Sequence, residues 1–423
     1  MNHRNFAALA ALLAVLGIVA GGALAQATAP AGESLMLMDM ETCKHKPTEI
    51  TVKEGTEEKK IPVGTVESVE GKVGKACQFA FIEAKTPGFF TAWVNPFEKA
   101  DDYEGISFWV KGDGSGNFGG IELIDGKDYK LRYGIMFPLA SKEWVKVTVP
   151  WRDVIPELNG KLVDAKTGYA PSNFRNLWVG RWVQWRQYPA ITFAIDNVQL
   201  EKKIDADKTD YTPKEAGAPR VLAKLKDKKP ITVVTMGDSL SDKKHWANQK
   251  KLWSEELVKD LKTKYGSEAK LVNPALGGTT LTQNVMLMPK WLKDTPQPDL
   301  VTICFGFNDW DSGVRGEQFK EYVRMAVDRV RRETKGSADI ILLTTMPALK
   351  RWDTMKEMED AVREVAKEKK TGLGDLATEV RKLGTADETV KLNVWGWDNV
   401  HLGAKGHDIV KEVVLKVIEE SGK

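Results

Sequence analysis

Three uninterrupted β-prone runs, at residues 231–236, 300–305 and 340–345, constrain the second half of this chain more than any other feature. A strand with apolar side chains on both faces must be covered on both, which a sheet with one wet face does not provide. Between the runs the pattern has helical period. Trp253, Leu257, Leu261 and Tyr265 share one face, as do Phe319, Tyr322, Val323, Ala326, Val327 and Val330. Ile409, Val410, Val413, Val414, Val417 and Ile418 mark a last helix. Buried strands alternating with amphipathic helices predict a doubly wound parallel α/β sheet over residues 230–423.

The first half reads differently. From residue 34 to 200 the chain alternates apolar and polar positions in short runs, such as 105–110, 144–149 and 191–195, with frequent turns between them. Period-two runs without a helix predict an all-β antiparallel sandwich for residues 26–200. Asp125-Gly126 reads as the turn of a hairpin between 121–124 and 129–133. Gly112-Asp113-Gly114-Ser115-Gly116-Asn117 has the composition of a calcium loop, but Phe118 and Ile124 stand where glycine and glutamate are required, so a hairpin loop is expected. Residues 201–229, rich in Lys, Asp, Ala and Pro, read as an exposed linker.

Residues 1–25 carry Arg4, an apolar run from 6 to 20 and the small-residue site Ala23-Leu24-Ala25, the pattern of a secretory signal peptide. Export to the periplasm or the exterior permits disulfides, and Cys43 and Cys77 are candidates to pair; Cys304, inside an apolar run, reads as a buried thiol. No further stretch is apolar enough to span a bilayer, so the mature chain is expected to have no transmembrane segment. The 423 residues carry 62 basic and 59 acidic side chains, a net charge of +3, which gives no field suited to nucleic acid. No Cys or His spacing suits zinc and no phosphate-binding loop is present, so no metal and no cofactor is expected.

Four short blocks carry the chemistry: Gly237-Asp238-Ser239-Leu240, Gly277-Gly278, Gly306-Phe307-Asn308-Asp309 and Asp398-Asn399-Val400-His401. A serine hydroxyl needs a base to become a nucleophile. Of the histidines, His45 lies in the β-domain, His245 is expected to enter the helix after Ser239, and His407 suits a surface or capping role. His401 has a carboxylate three residues earlier, Asp398, to orient its ring; Asp311 is the alternative acid. The backbone N–H groups of Ser239 and Gly278 and the amide of Asn308 supply oxyanion donors. Asp238 and Asp309 are expected to hold their own loops by local hydrogen bonds.

With these blocks in this order, the second domain resembles the SGNH (GDSL) hydrolases, whose four named residues correspond to Ser239, Gly278, Asn308 and His401, with Asp398 completing the triad. The second block departs from the commonest form by Ala275 in place of a glycine. The resemblance implies a flavodoxin-like sheet and carboxylic ester hydrolysis. The closing run of the first domain resembles a galactose-binding-like jelly roll of carbohydrate-binding modules. Together they imply a secreted esterase that deacetylates a polysaccharide, the acylated glycan being its partner. Trp310, Trp352, Trp395 and Trp397 are candidates to stack on sugar, and one or two of Trp93, Trp109, Trp144, Trp151, Trp178, Trp182 and Trp185 to be exposed for ligand. Two alternatives stand beside this reading: a general acylesterase or lipase with a structural β-domain, and a non-catalytic glycan-binding protein.

Overall fold

The computed structural model describes residues 34–422 apart from 55, 95–98, 127, 158–159, 164–168 and 185–187. The signal-peptide reading of residues 1–25 and Trp185 lie outside the described residues. Among the described residues no helix is long and apolar enough to cross a membrane.

The first half forms two six-stranded antiparallel sheets packed face to face. The strand Ile191–Glu201 is central to one sheet, pairing with Gly105–Lys111, Lys75–Phe81 and Ser34–Met38. In the other sheet Phe118–Asp125 pairs with Arg132–Pro138 and Phe174–Gly180. Alternate residues of facing strands, among them Phe79, Phe108, Ile121, Leu123, Tyr133, Leu177 and Phe193, fill the interior. Cys43 and Cys77 are bonded across this domain, with their Cα atoms 5.5 Å apart.

Two turn readings need correction. Residues 112–117 link a strand of one sheet to a strand of the other and are not a hairpin loop, since Gly105–Lys111 and Phe118–Asp125 never pair. The Asp125–Gly126 hairpin does form, but its loop extends to residue 131. The Asp125 carboxylate lengthens it by accepting the Asp128 N–H at 3.0 Å and the Tyr169 hydroxyl.

The second half is a five-stranded parallel sheet. In spatial order its strands are Ala269–Val272, Ile231–Gly237, Leu300–Cys304, Asp339–Leu343 and Gly372–Gly374, so the sheet runs 2-1-3-4-5 in sequence order, with its reversal between the first and third strands. Alternation along each strand divides the side chains between two cores: Val234, Met236, Val301, Ile303, Ile340 and Leu342 face one way, Ile231, Val233, Leu300, Ile341 and Leu343 the other. The second group is covered by helices α1 (Pro219–Lys226), α2 (Trp253–Tyr265) and the C-terminal Ala404–Glu420. The first is covered by α3 (Leu281–Met286), α4 (Met288–Leu292), α6 (Gly316–Glu333) and α7 (Lys356–Glu368), with the short α5 (Phe307–Asp311) at the strand ends.

Helix α1 lies in the segment expected to be an exposed linker. Its Val221, Leu222 and Leu225 are buried, and only the intervening lysines hide that face in the sequence. The two domains also share a core. Phe118, Met136, Ile155, Trp182 and Val183 of the sandwich pack with Val285, Met286, Met288 and Leu292. Gly134 leaves room for Met286; a Cβ there would lie 2.1 Å from the methionine methyl. Beside it, Asp153 pairs with Arg329 at 2.8 Å and Arg332 at 2.5 Å, both from α6. Removing one member of a mostly buried ion cluster strands the others. Asp153→Ala is therefore expected to destabilise the protein by ~2–4 kcal/mol, read as a fall in the denaturant midpoint. A change within ~0.5 kcal/mol would show that this seam contributes little.

Candidate active site

The chain leaves the strand Ile231–Gly237 in a tight turn, with the N–H groups of Ser241 and Asp242 both on the Asp238 carbonyl at 3.0 Å. Ser239 sits at the crest of that turn. Asn248 fixes it from behind, donating to the carbonyls of Ser239 at 2.8 Å and Asp242 at 2.7 Å. His401 arrives on a closed loop ahead of the last helix, in which Gly396 donates to the His401 carbonyl at 2.6 Å and Asn399 takes φ of 60°. The His401 Nε2 lies 2.9 Å from Ser239 Oγ, and its Nδ1 lies 2.5 Å from Asp398 Oδ2. Burial pushes the Asp398 carboxyl up, but the His401 ring and the N–H groups of His401 and Val400 outweigh it and hold Asp398 below its ordinary value. Asp311 points elsewhere, to Arg351 at 2.5 Å.

The second block is set by the same turn. The Gly277 N–H is spent on Asp242 Oδ2 at 2.9 Å, and a Cβ on Gly277 would approach Ser239 Cβ to 3.3 Å. Gly278 follows, exposed, with φ of 82°, a conformation that favours glycine. Asn308 stands in the first turn of α5, its amide nitrogen 3.0 Å from the Thr279 carbonyl and 3.5 Å from Asp238 Oδ2. The third block therefore reaches both the first and the second.

Asp238 and Asp309 act as expected only in part. Asp238 does bond locally, accepting the Leu240 N–H at 3.0 Å. Asp309 instead reaches across to α3, accepting the Leu281 N–H at 3.0 Å. Both are buried, and loss of water pushes Asp238 up to about 6 and Asp309 up to about 7.

The sequence reading missed two neighbours of the imidazole. His245 precedes a short turn, Trp246–Asn248, rather than entering a long helix, and its ring stacks on His401 with centroids 4.2 Å apart. Trp246 meets the same imidazole edge-on at 5.5 Å. The helix that His245 was expected to join begins only at Trp253, and no local signal in residues 240–252 announces that delay. His407 is buried rather than superficial; its Nδ1 accepts the Trp253 N–H at 3.3 Å, a capping role, and burial lowers it to about 4. His45 is buried against Phe79 in the sandwich.

The tryptophans divide. Trp397, directly before Asp398, is 82% exposed. Trp395 is 3% exposed, with its N–H on Thr389 and its ring in the core, so it is unavailable to a sugar. Trp310 is held between the guanidinium groups of Arg315 at 4.3 Å and Arg351 at 4.2 Å, and Trp352 packs against the core beneath Arg381. Next to Ser239 a cavity of 20 Å³ is lined chiefly by Leu240, Phe305, Phe307, Met346, Ala348 and Val400.

Residues 235–409 match the family of GDSL-like lipases and acylhydrolases. No curated protein matches the chain. Among solved structures, the chain is similar to an acetyl xylan esterase from Geobacillus stearothermophilus, at 22% identity over 44% of this chain and 94% of that one, with a TM-score of 0.36. A family 11 carbohydrate-binding module from Clostridium thermocellum aligns at 16% identity over 41% of this chain and 97% of that one, TM-score 0.31. A Bacillus subtilis protein aligns at 14% over 84% of this chain and 87% of that one, TM-score 0.37.

The buried Asp309 makes a pH prediction. A carboxyl whose folded value lies above its unfolded one keeps a proton that the unfolded chain releases, so its stabilisation is lost as pH rises from ~4 towards its folded value. For Asp309 that window ends near pH 7. Asp309→Asn retains an acceptor for Leu281 and cannot ionise. Relative to wild type, the variant should gain stability between pH 4 and pH 8, measured by thermal unfolding at each pH. A difference that is flat with pH would contradict the raised value.

Proposed function

We propose that this chain, whose C-terminal domain is of the GDSL-like lipase/acylhydrolase family, is an exported serine esterase that removes short acyl groups, acetyl foremost, from a polysaccharide. The observation that carries the reading is the continuous hydrogen-bonded line from Ser239 Oγ through His401 to Asp398, at the point where the parallel sheet reverses its strand order. Ligands of open α/β sheets bind at such points.

The chemistry follows from the geometry. The Asp398 carboxylate requires the proton on His401 Nδ1, so Nε2 faces Ser239 with its lone pair. Nε2 takes the hydroxyl proton as Oγ attacks the ester carbon. The oxygen that becomes negative receives the N–H groups of Ser239 and Gly278 and the amide of Asn308, which exchanges the Thr279 carbonyl for the oxyanion as charge develops. Collapse expels the alcohol with the proton from Nε2. Water, activated by the same nitrogen, then frees the acid from Ser239.

The cavity beside Ser239 supports a short acyl group. At 20 Å³ it is far below the ~300–1,000 Å³ of sites that enclose drug-sized ligands, and its lining is mostly apolar. The Cys43–Cys77 bond supports export, since such bonds persist in oxidising compartments. The core shared between domains favours a structural part for the sandwich, whatever ligand its exposed Trp93 contributes to.

Wild-type protein is expected to release acetate from acetylated xylan and from simple acetates, and Ser239→Ala to lower kcat by ~10³-fold or more. Asn308→Ala should lower kcat by ~10²–10³-fold with little change in KM. Hydrolysis confined to long-chain esters would overturn the acetyl reading. Absence of Ser239-dependent turnover on any ester would leave glycan binding as the function.

A further inference from the structure

We propose that Trp397 and Trp246 form the platform on which the sugar bearing the ester stacks, so that the alcohol side of the substrate is recognised by aromatic rings attached to the triad itself. The proposal rests on the reading of Ser239 as nucleophile and of an acylated glycan as substrate, and it identifies the residues that select that glycan.

Four rings form one connected series. Trp397 lies 5.1 Å from Trp246 at an interplanar angle of 33°, Trp246 lies 5.3 Å from His245 at 41°, and His245 lies 4.2 Å from His401 at 28°. The inner end of the series is the imidazole that touches Ser239. Its outer end is the most exposed large apolar residue among those described, Trp397 at 82%, with Trp246 at 45%. A lone surface tryptophan needs no explanation. Two in mutual contact, continuous with Ser239 through two imidazoles, form an apolar face that no other large apolar side chain covers among the described residues.

The backbone that carries each ring is tied to the reacting residues. Trp397 immediately precedes Asp398, whose carboxylate is pinned by the His401 ring and by two backbone N–H groups. Trp246 begins the short turn that ends at Asn248, and Asn248 donates to the carbonyl of Ser239 itself.

Chemistry decides which side of the substrate these rings meet. The leaving alcohol takes its proton from His401 Nε2, so the alcohol carbon must lie beside the imidazole, where His245 and Trp246 are its neighbours. The acyl group takes the other side, where the cavity of 20 Å³ is lined by Leu240, Phe307 and Val400. A flat ring with an apolar face and a hydroxylated rim, such as a pyranose, suits an aromatic surface that is half open to water. An acyl chain on these rings would have to run from the wrong side of the ester carbon.

The test uses full-length protein and measures acetate release from two substrates, an acetylated xylo-oligosaccharide and ethyl acetate, which shares the acyl group but has no ring. Trp397→Ala and Trp246→Ala should each lower the ratio of kcat/KM on the oligosaccharide to that on ethyl acetate ~10-fold, a typical value of one aromatic contact. Trp397→Phe should recover most of the ratio, and because Trp397 is so exposed its variants should fold normally. An unchanged ratio overturns the platform. So does an equal loss on both esters, which would mean that the rings only steady His401. Failure of the esterase reading is seen separately, as absence of Ser239-dependent acetate from either substrate in the wild type.

Discussion

Carboxylates withdrawn from water hold this site together. Asp242 takes the Gly277 N–H, Asp309 takes the Leu281 N–H, and Asp238 lies between the Ser239 turn and the Asn308 amide. Three of the four blocks, dispersed over residues 237 to 309, are thus tied by three aspartates, together with the Asn308 amide on the Thr279 carbonyl. Burying a charge costs several kcal/mol unless hydrogen bonds replace the lost water, so each aspartate favours the single loop arrangement that satisfies it. Asp309 is the exposed weakness of this arrangement, because its second oxygen has no partner among the described residues and its carboxyl drifts up to about 7.

The same bond carries the constraint outward. Leu281 opens α3, a helix of only six residues that also receives a capping box from Thr280 and Gln283. So short a helix does not hold itself together in water. It persists because Val285 and Met286 are covered by the sandwich, with Met286 seated over Gly134 and beside Trp182 in the shared core. The sandwich thereby supports the helix whose N-terminus follows Gly278. A β-domain placed this way is part of the scaffold of the α/β domain, and Asp153 reinforces the seam by binding two arginines of α6.

Legibility in the sequence followed the range of the interactions. The parallel sheet was legible because strands buried on both faces write an unbroken apolar run, and Ile231, Val233, Val234 and Met236 do divide between two cores. The meeting of Ser239, His401 and Asp398 follows from the order of the blocks and the sheet that carries them. Features decided by a partner far along the chain were not legible. The buried face of α1 depends on the C-terminal helix, and between lysines it reads as linker. Trp395 and Trp397 are two residues apart, yet Thr389 holds the first inside while the second stays exposed against Trp246. His245 was misplaced for a related reason, since its position is set by Asn248 bonding back to the nucleophile turn.

The two sides of the candidate site differ in the kind of selectivity open to them. A small apolar cavity discriminates acyl groups mainly by exclusion, because one added methylene changes binding by only ~1–3 kcal/mol until the space runs out. At 20 Å³ the space beside Ser239 is small. The opposite side is open, so it cannot exclude, and any preference there must come from attraction. Rings carried on backbone tied to Asp398 and Ser239 would suit that task, because binding would not have to order the loops that bear them. On the proposed reading, a small acyl side and an attractive alcohol side would together select an ester by the size of what it releases as acid and by the shape of what it releases as alcohol.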